Sequence, residues 1–309
     1  MPPTFSVITP SYNQGQFIER TIQSVLSQQG VSFEYLVCDG DSTDETVTIL
    51  QRYQDHLHWL SEPDRGQADA INKGISQTTG EVIAWLNSDD IYYPSALSKV
   101  QAIFLAHPEV QVVYGDAYHI DRDDRILEPY PTAPWNYRQL RQVCFLCQPA
   151  TFFRRQLVEQ YGLLDAQLKF CMDYELWLRY GKQTDFFYLP EVLAGSRLYE
   201  DNKTLGQRVA VHREINQMLA QKFLISPEKW VLDYASIVVE ERDKAKKRNG
   251  TNLDVEVQRM NEFVLEVCRS YARWRYGLIS PATARRLMNW IPVTYYRWFR
   301  SRLSLKPRP

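Results

Sequence analysis

Up to Asp90 the apolar positions follow two rhythms in turn. Short apolar runs at Phe5–Thr9, Phe33–Cys38, Leu57–Leu60 and Glu81–Leu86 read as strands. Helical spacings lie between them. Ile18, Ile22, Val25 and Leu26 recur at one-turn intervals. Ser42 and Glu45 have the spacing of a capping box for a helix whose apolar face is Val47, Leu50 and Tyr53. Gln67–Ser76 reads as a third helix. Pro94 suits the first turn of a fourth, with Leu97, Val100, Ile103 and Phe104 inside. Regular strand–helix alternation predicts a parallel sheet with helices on both faces, because each crossover must return along the sheet.

From Val110 the pattern changes to α+β. Val110–Ile120 reads as a strand and Asp121–Arg125 as a hairpin turn. Ala150–Phe153 and Val192–Leu198 are further strands, with a helix from Asp173 to Tyr180 between them. Beyond Leu205 the strand signals stop. Ser226 and Pro227 combine an N-cap with a first-turn proline, opening a helix that Arg248-Asn249-Gly250 ends near Lys247. Leu253–Tyr276 is a second long helix with Leu253, Val257, Met260, Val264 and Val267 on one face, and Ser280-Pro281 opens a shorter third. The expected division is an α/β domain over residues 1–204 and a helical region over 205–309.

Composition changes this picture in one respect. Hydrophobic content of 44% and charged content of 24% over 309 residues are ordinary for a globular chain. The net charge of −1 hides an asymmetry: Arg269–Pro309 holds ten Lys or Arg and no acid, leaving 26 basic and 37 acidic residues elsewhere. Trp274, Tyr276, Trp290, Tyr295, Tyr296, Trp298 and Phe299 lie among those arginines, the mixture found in interfacial helices. This predicts docking of 269–309 on an anionic membrane surface, the alternatives being packing on the acidic body or on a second subunit in a homo-oligomer. No nucleic-acid partner is expected, since an acidic body opposes a phosphate backbone. No run reaches the roughly 18 apolar residues of a membrane span, and the N-terminus lacks a signal-peptide pattern. Five scattered cysteines argue against a disulfide framework. The expected location is therefore the cytoplasm, peripheral on the inner face of a membrane. Cys144 and Cys147 form a lone CxxC, for which buried thiols are the default.

The candidate chemistry sits where the strands end. In open parallel sheets ligands bind outside the carboxyl ends of the strands. The four runs lead into Thr9-Pro10-Ser11-Tyr12-Asn13, Asp39-Gly40-Asp41, Glu62-Pro63-Asp64-Arg65-Gly66 and Asn87-Ser88-Asp89-Asp90. Each alone is an ordinary turn sequence. Together they put at least four carboxylates on one edge. Such a cluster needs a cation or hydrogen-bond donors to offset its repulsion, and hard oxygen ligands select Mg²⁺ or Mn²⁺.

The segments SVITPSYNQGQFIERTIQSVLSQ, VCDGDSTDET, SEPDRGQADAINKG, AWLNSDDIYYP and MDYELWLR, in this order, resemble the family 2 glycosyltransferases of the GT-A fold over residues 4–204. The resemblance implies a mixed, mainly parallel sheet flanked by helices, carrying a C-terminal helical extension. It implies an inverting glycosyltransferase that moves a sugar from a nucleotide-diphosphate donor to an acceptor hydroxyl, in cell-surface polysaccharide or glycolipid synthesis. Thr9, Pro10, Ser11 and Tyr12 would line the base pocket, and Asp39 would accept a hydrogen bond from the base. Asp64 and Lys73 would flank base and ribose, and Gln67, Asn87 and Ser88 complete the donor set. Asp89 would ligate the divalent cation, with Asp90 beside it in the metal set. Arg197, in GSRLYEDNKT, would lie near the diphosphate, the alternative being a surface arginine; many relatives carry histidine where this chain has Tyr199. Gln148, in CQPATFFRR, belongs to a segment near the acceptor, which such enzymes often take lipid-linked.

Asp173 would be the general base for the acceptor hydroxyl; the alternative is a helix N-cap. Two positions depart from the family. Asn87 replaces the first aspartate of the acidic motif and removes a charge, and Asp41 stands where glycine is common. Other function classes fare worse. A nucleotidyltransferase needs a glycine-rich basic first loop, and Ser11–Gln16 holds one glycine and no Lys or Arg. A dinucleotide-dependent dehydrogenase needs GxGxxG after the first strand. A non-catalytic sugar-nucleotide-binding protein is favoured only by Asn87. The five histidines show no ligand spacing.

Overall fold

The computed structural model describes residues 4–200, 202, 206–245, 253–276, 279–285 and 287. The chain divides into two compact units, Met1–Gly206 and Gln207–Pro309. The strands of the first unit are β1 (Phe5–Ser11), β2 (Phe33–Asp39), β3 (His58–Ser61), β4 (Val82–Trp85), β5 (Ile91–Tyr92), β6 (Val112–Ile120), β7 (Ile126–Pro129), β8 (Thr151–Arg154) and β9 (Phe187–Arg197). They form one nine-stranded sheet in the order β3-β2-β1-β4-β8-β6-β9-β5, with β7 paired to β6. β1 to β4 are parallel neighbours. β8 runs antiparallel to both β4 and β6 and so joins the parallel half to the mixed half. Every residue of β1 and β4 is buried, as expected of strands covered on both faces.

The helices of this unit are α1 (Ile18–Leu26), α2 (Thr46–Arg52), α3 (Gln67–Gln77), α4 (Ala96–Ala106), α5 (Tyr137–Leu140), α6 (Arg155–Tyr161) and α7 (Met172–Gly181). The apolar stripe of α1 packs with Phe5, Val37 and Leu50, and Leu97, Val100 and Phe104 of α4 complete the same core. The expected hairpin turn at Asp121–Arg125 forms between β6 and β7, held by Asp121 Oδ1, which accepts from the Asp123 and Arg125 amides. α3 approaches the sheet closely because Gly74 has no side chain: a Cβ there would lie 2.4 Å from Ile8 Cγ2 and 3.2 Å from Cys38 Sγ.

Two local expectations are corrected. Ser42 and Glu45 do not form a capping box. α2 begins at Thr46, whose amide is accepted by Asp44 Oδ1, and the Ser42 hydroxyl is used by Asp39 instead. Asp173 is not an N-cap either: Cys171 holds that position, and Asp173 lies in the first turn of α7.

The second unit contains helices Arg208–Lys222, Glu228–Ala245 and Leu253–Trp274. The first is not among the expected elements, although Val211, Ile215, Met218 and Leu219 form its buried stripe. Val231, Tyr234, Ala235 and Val238 pack with Val267, Tyr271 and Trp274. Ser226 donates its hydroxyl to Asn216 at 2.6 Å, tying two helices together. Ser280 caps the helix that starts at Pro281, accepting the Thr283 amide at 3.2 Å. Trp274, counted among the interfacial aromatics, is instead buried edge-on against Tyr234 with ring centroids 4.9 Å apart. The Arg248-Asn249-Gly250 stop and the aromatic positions from Trp290 onward lie outside the described residues. Among the described residues no helix is long and apolar enough to cross a membrane.

Gly74→Ala is expected to destabilise the chain by about 1–3 kcal/mol, the usual cost of overpacking. The sign is opposite to the helix-propensity gain of Ala over Gly. A urea melt decides it: a stabilised variant would show that α3 can shift off β1.

Candidate active site

The parallel strands deliver their carboxyl ends to one edge, with Ser11, Asp39 and Ser61 side by side in the register. The loops that follow are tied to one another by side chains. Asn13, with φ of 52°, accepts the Thr43 amide on its Oδ1 at 2.9 Å. Its own amide donates to Ser42 Oγ at 2.7 Å. The Gln14 amide donates to Thr46 Oγ1 at 3.0 Å, and the Gly15 amide to Asp44 Oδ2 at 2.9 Å. Asp41 takes φ of 67°, the left-handed backbone that aspartate tolerates better than most residues.

Asp39 is buried in the first half of the site. Its carboxylate accepts from the Ser42 amide at 2.9 Å, the Ser42 hydroxyl at 2.5 Å and the Ser61 hydroxyl at 2.6 Å. Asp64 crowds the adjoining turn, since a Cβ on Gly40 would lie 2.7 Å from its Oδ2. Asp64 Oδ1 accepts the Gly66 amide at 2.7 Å. Lys73 pairs with Glu62 at 2.8 Å and donates to the Pro63 carbonyl, so it braces this loop from α3. Thr9 shares a buried hydrogen bond with the Tyr35 hydroxyl at 3.2 Å. Pro10 is buried, Ser11 keeps a buried hydroxyl without a partner among the described residues, and Tyr12 is 62% exposed. The structure thus brings Asp39, Asp64 and the Thr9–Tyr12 loop together.

The turn after β4 forms the centre. The Asn87 side-chain carbonyl accepts from Gln67 Nε2 at 2.7 Å and Trp85 Nε1 at 2.8 Å. Its amide donates to Gln148 Oε1 at 2.9 Å and Asp90 Oδ2 at 3.2 Å. Four partners saturate this amide. Gln148 in turn donates to the Trp85 carbonyl at 2.6 Å. Asp90 is 3% exposed and also accepts the Arg197 amide on Oδ1 at 2.9 Å. Burial and the charge of Asp89 hold its carboxyl well above the ordinary range. Expected in the metal set, Asp90 is instead turned inward as the anchor of the turn. Asp89 keeps partial exposure and accepts from the Tyr199 hydroxyl on Oδ2 at 3.0 Å; desolvation raises its carboxyl as well.

Three supports of this turn were not singled out from sequence as part of the site. Thr21, a polar residue in the buried stripe of α1, donates to the Ser88 and Asp90 carbonyls at 2.9 and 2.7 Å. Tyr199 packs on Phe17 with ring centroids 5.0 Å apart and holds Asp89. Asp124, in the hairpin, pairs with Arg197. Arg197 itself is neither a surface residue nor open to a diphosphate. Its side chain is fully buried, stacked 4.8 Å over Phe17, with donors on the Asp89 and Asp121 carbonyls and the Asp124 carboxylate. A polar residue inside an apolar stripe is a signal available in sequence; the long-range partners of Arg197 are not.

Across Gln148 lies the other half of the site. Burial first, and then the charge of Asp173, push the Cys144 thiol up. Burial likewise raises Cys147, which also feels Asp90 and, more weakly, Asp173. Both carboxylates therefore bear on the same buried thiol. The five cysteines are free thiols.

Among the described residues no three His, Cys, Asp or Glu side chains converge as a ready-made metal cage. The donor set nevertheless fits a cation that arrives with its own ligands. Asp89 presents one partly exposed carboxylate, and the desolvation that raises both carboxyls is a load that a bound cation relieves. Mg²⁺ and its relatives commonly use one or two protein carboxylates plus phosphate oxygens and water.

A mainly parallel sheet with polar loops at its carboxyl edge and an acidic turn beyond β4 defines a GT-A transferase fold. The chain belongs to glycosyl transferase family 2, whose profile matches residues 6–162. It is 27% identical over 219 residues to an uncharacterized glycosyltransferase of Rickettsia prowazekii, covering 65% of this chain and 66% of that protein. It is 24% identical to a chondroitin synthase of Escherichia coli, covering 73% of this chain and 34% of that protein. The chain thus spans less than two thirds of the length of such relatives. Among solved structures, residues 1–349 of S. aureus TarS in complex with UDP-GlcNAc align with a TM-score of 0.55 at 19% identity, covering 87% of this chain and 83% of that one. The mannosyltransferase PcManGT from Pyrobaculum calidifontis, in complex with GDP-Man and Mn²⁺, aligns with a TM-score of 0.57 at 18% identity, covering 99% and 84%. At these identities the likeness concerns the fold.

Asn87→Asp tests the central network. It replaces two donations by repulsion against Asp90 and is expected to cost about 1–3 kcal/mol, the range for unsatisfied buried groups. Asp90 binds its proton more tightly folded than unfolded, so its charged form costs stability above its folded pKa, and this cost fades as pH falls. Adding a like charge enlarges that cost. The deficit should therefore shrink between pH 7.5 and pH 5, measured by urea melts in EDTA; a deficit that grows on acidification would contradict the assignment.

Proposed function

We propose that this chain transfers a sugar from a nucleotide-diphosphate donor to an acceptor hydroxyl with inversion, in the synthesis of a surface polysaccharide or glycolipid. The observation that carries the reading is the row of polar strand ends at the carboxyl edge of the parallel strands, with Gln148 bridging from the segment before β8 to Asn87. It supports a donor half and an acceptor half that share one space. In the donor half, Thr9, Pro10, Ser11 and Tyr12 line the base, and Asp39 receives its N–H beside Ser42 and Ser61. Asp64 and Lys73 shape the ribose side, while Gln67 and Ser88 belong to the scaffold of the β4 turn. Arg197 serves this half from beneath by fixing the Asp89 carbonyl.

Asp89 would hold a divalent cation against the donor phosphates, where it neutralises charge on the leaving diphosphate. Tyr199 orients the Asp89 carboxylate toward that position. Asp173 takes the proton from the acceptor hydroxyl as its oxygen attacks the anomeric carbon opposite the diphosphate; a single displacement inverts the centre. The acceptor is a sugar, lipid-linked if the basic end of residues 269–309 docks on a membrane surface, and the charge asymmetry supports that placement.

Asp89→Ala is expected to lower Mn²⁺-dependent affinity for UDP or GDP by about tenfold or more, the scale of one charge-assisted contact. Calorimetry with Mn²⁺ and with EDTA measures it, and identical isotherms for wild type and variant would remove Asp89 from the donor site.

Asp173→Asn keeps size and polarity in the first turn of α7 but cannot accept the proton. Turnover is expected to fall about 10²–10⁴-fold, with stability changed by less than about 1 kcal/mol. A normally melting variant with near-full turnover would exclude Asp173 as the base.

A further inference from the structure

The segment from Tyr130 to Gln148 carries Arg138 and Arg141 and no Asp or Glu. It runs along α7 in the opposite direction. At one end the rings of Trp135 and Tyr137 cover Gly181, where a Cβ would lie 2.6 Å and 3.2 Å from them. Further on, the Tyr174 hydroxyl donates to the Leu140 carbonyl at 2.7 Å. Beyond that, Cys144 feels the charge of Asp173. Along the chain Arg141 therefore follows directly on the contact with Tyr174 and lies three residues before Cys144.

Its chemical situation differs from that of the other half-buried or buried arginines of this unit. Arg154 pairs with Glu81, Arg179 with Glu175 and Arg197 with Asp124, while Arg155 donates to the Gly80 and Ile75 carbonyls. The Arg141 side chain has no hydrogen bond or ion pair among the described residues, and its Nε is buried without a partner. An unpaired, partly desolvated guanidinium is costly unless something else supplies the acceptor. Planar guanidinium groups match carboxylate and phosphate oxygens two at a time.

We propose that Arg141 is the recognition point for an anionic oxygen group, phosphate or carboxylate, carried by the acceptor close to its attacking hydroxyl. The assignment to the acceptor rests on the reading of Asp173 as the base; the unpaired cation itself does not. The acceptor is then an acidic sugar or a sugar phosphate rather than a neutral glycan. Arg141 positions it, and Asp173 deprotonates it.

The test uses the full chain. Arginine labelling by phenylglyoxal is followed at Arg141 by peptide mass spectrometry, with inorganic phosphate, glucuronate or neutral glucose present. Phosphate or glucuronate is expected to slow labelling about tenfold, the scale of one charge-assisted hydrogen bond, and glucose to leave it unchanged. Whichever anion protects better identifies the group. Arg141→Gln should bind UDP with Mn²⁺ as wild type does, and Asp173→Asn should keep the protection. Equal labelling under all three conditions overturns the proposal. So does a loss of about tenfold in UDP affinity for Arg141→Gln, which would assign the cation to the donor diphosphate. Failure of the transferase reading shows separately, as wild-type chain that binds neither UDP nor GDP.

Discussion

Asp89 and Asp90 stand side by side at the buried end of a central strand, and the rest of the site is arranged around holding them there. Two adjacent carboxylates in a desolvated turn repel each other and favour their protonated forms. Four distant elements offset this. α1 supplies Thr21 to the main-chain carbonyls, β9 supplies the Arg197 amide to Asp90, the hairpin supplies Asp124 to Arg197, and the segment after β9 supplies Tyr199 to Asp89. Each contact spans at least 67 residues of sequence, so the turn is stable only in the completed unit.

Asn87 occupies the position where a third carboxylate would aggravate that repulsion. Its amide is an acceptor toward Gln67 and Trp85 and a donor toward Asp90 and Gln148, a division of labour no aspartate can reproduce while ionised. An amide here brings no charge to a cation and instead links Gln67 on α3 to Gln148 before β8. That link passes through Gln148, which sits just before β8, the strand where the sheet turns from parallel to antiparallel.

The two halves of the site are built differently. The loop set after β1 and β2 is laced by backbone-to-side-chain hydrogen bonds, between Asn13 and Thr43, Gln14 and Thr46, and Gly15 and Asp44. It is pre-organised before any ligand arrives. The segment before β8 is packed by aromatic rings, with Trp135 stacked on Phe186 at 4.1 Å, and it leaves Arg141 Nε without a partner among the described residues.

Much of this was legible in the chain alone. Short apolar runs and helical spacings located β1 to β4 and α1 to α4 within a few residues, because central strands bury continuous apolar runs and amphipathic helices an apolar face wherever they pack. The turn-forming residues at each strand end, and Asp41 with its left-handed backbone, are local chemistry and so readable locally. The roles of Ser42, Asp90 and Arg197 were not readable. Ser42 matches a helix cap in spacing, yet its hydroxyl goes to Asp39, which burial leaves in greater need of a donor. Asp90 matches a metal ligand in motif, yet it is buried and its two oxygens accept from the Arg197 amide of β9 and from the Asn87 side chain. Arg197 lies 107 residues from the aspartate its amide binds. Sequence by itself determined which segments form the sheet and which loops carry charge. Only the tertiary structure decided which of those charges face a ligand, because exposure and hydrogen-bond competition are settled by partners that are remote along the chain.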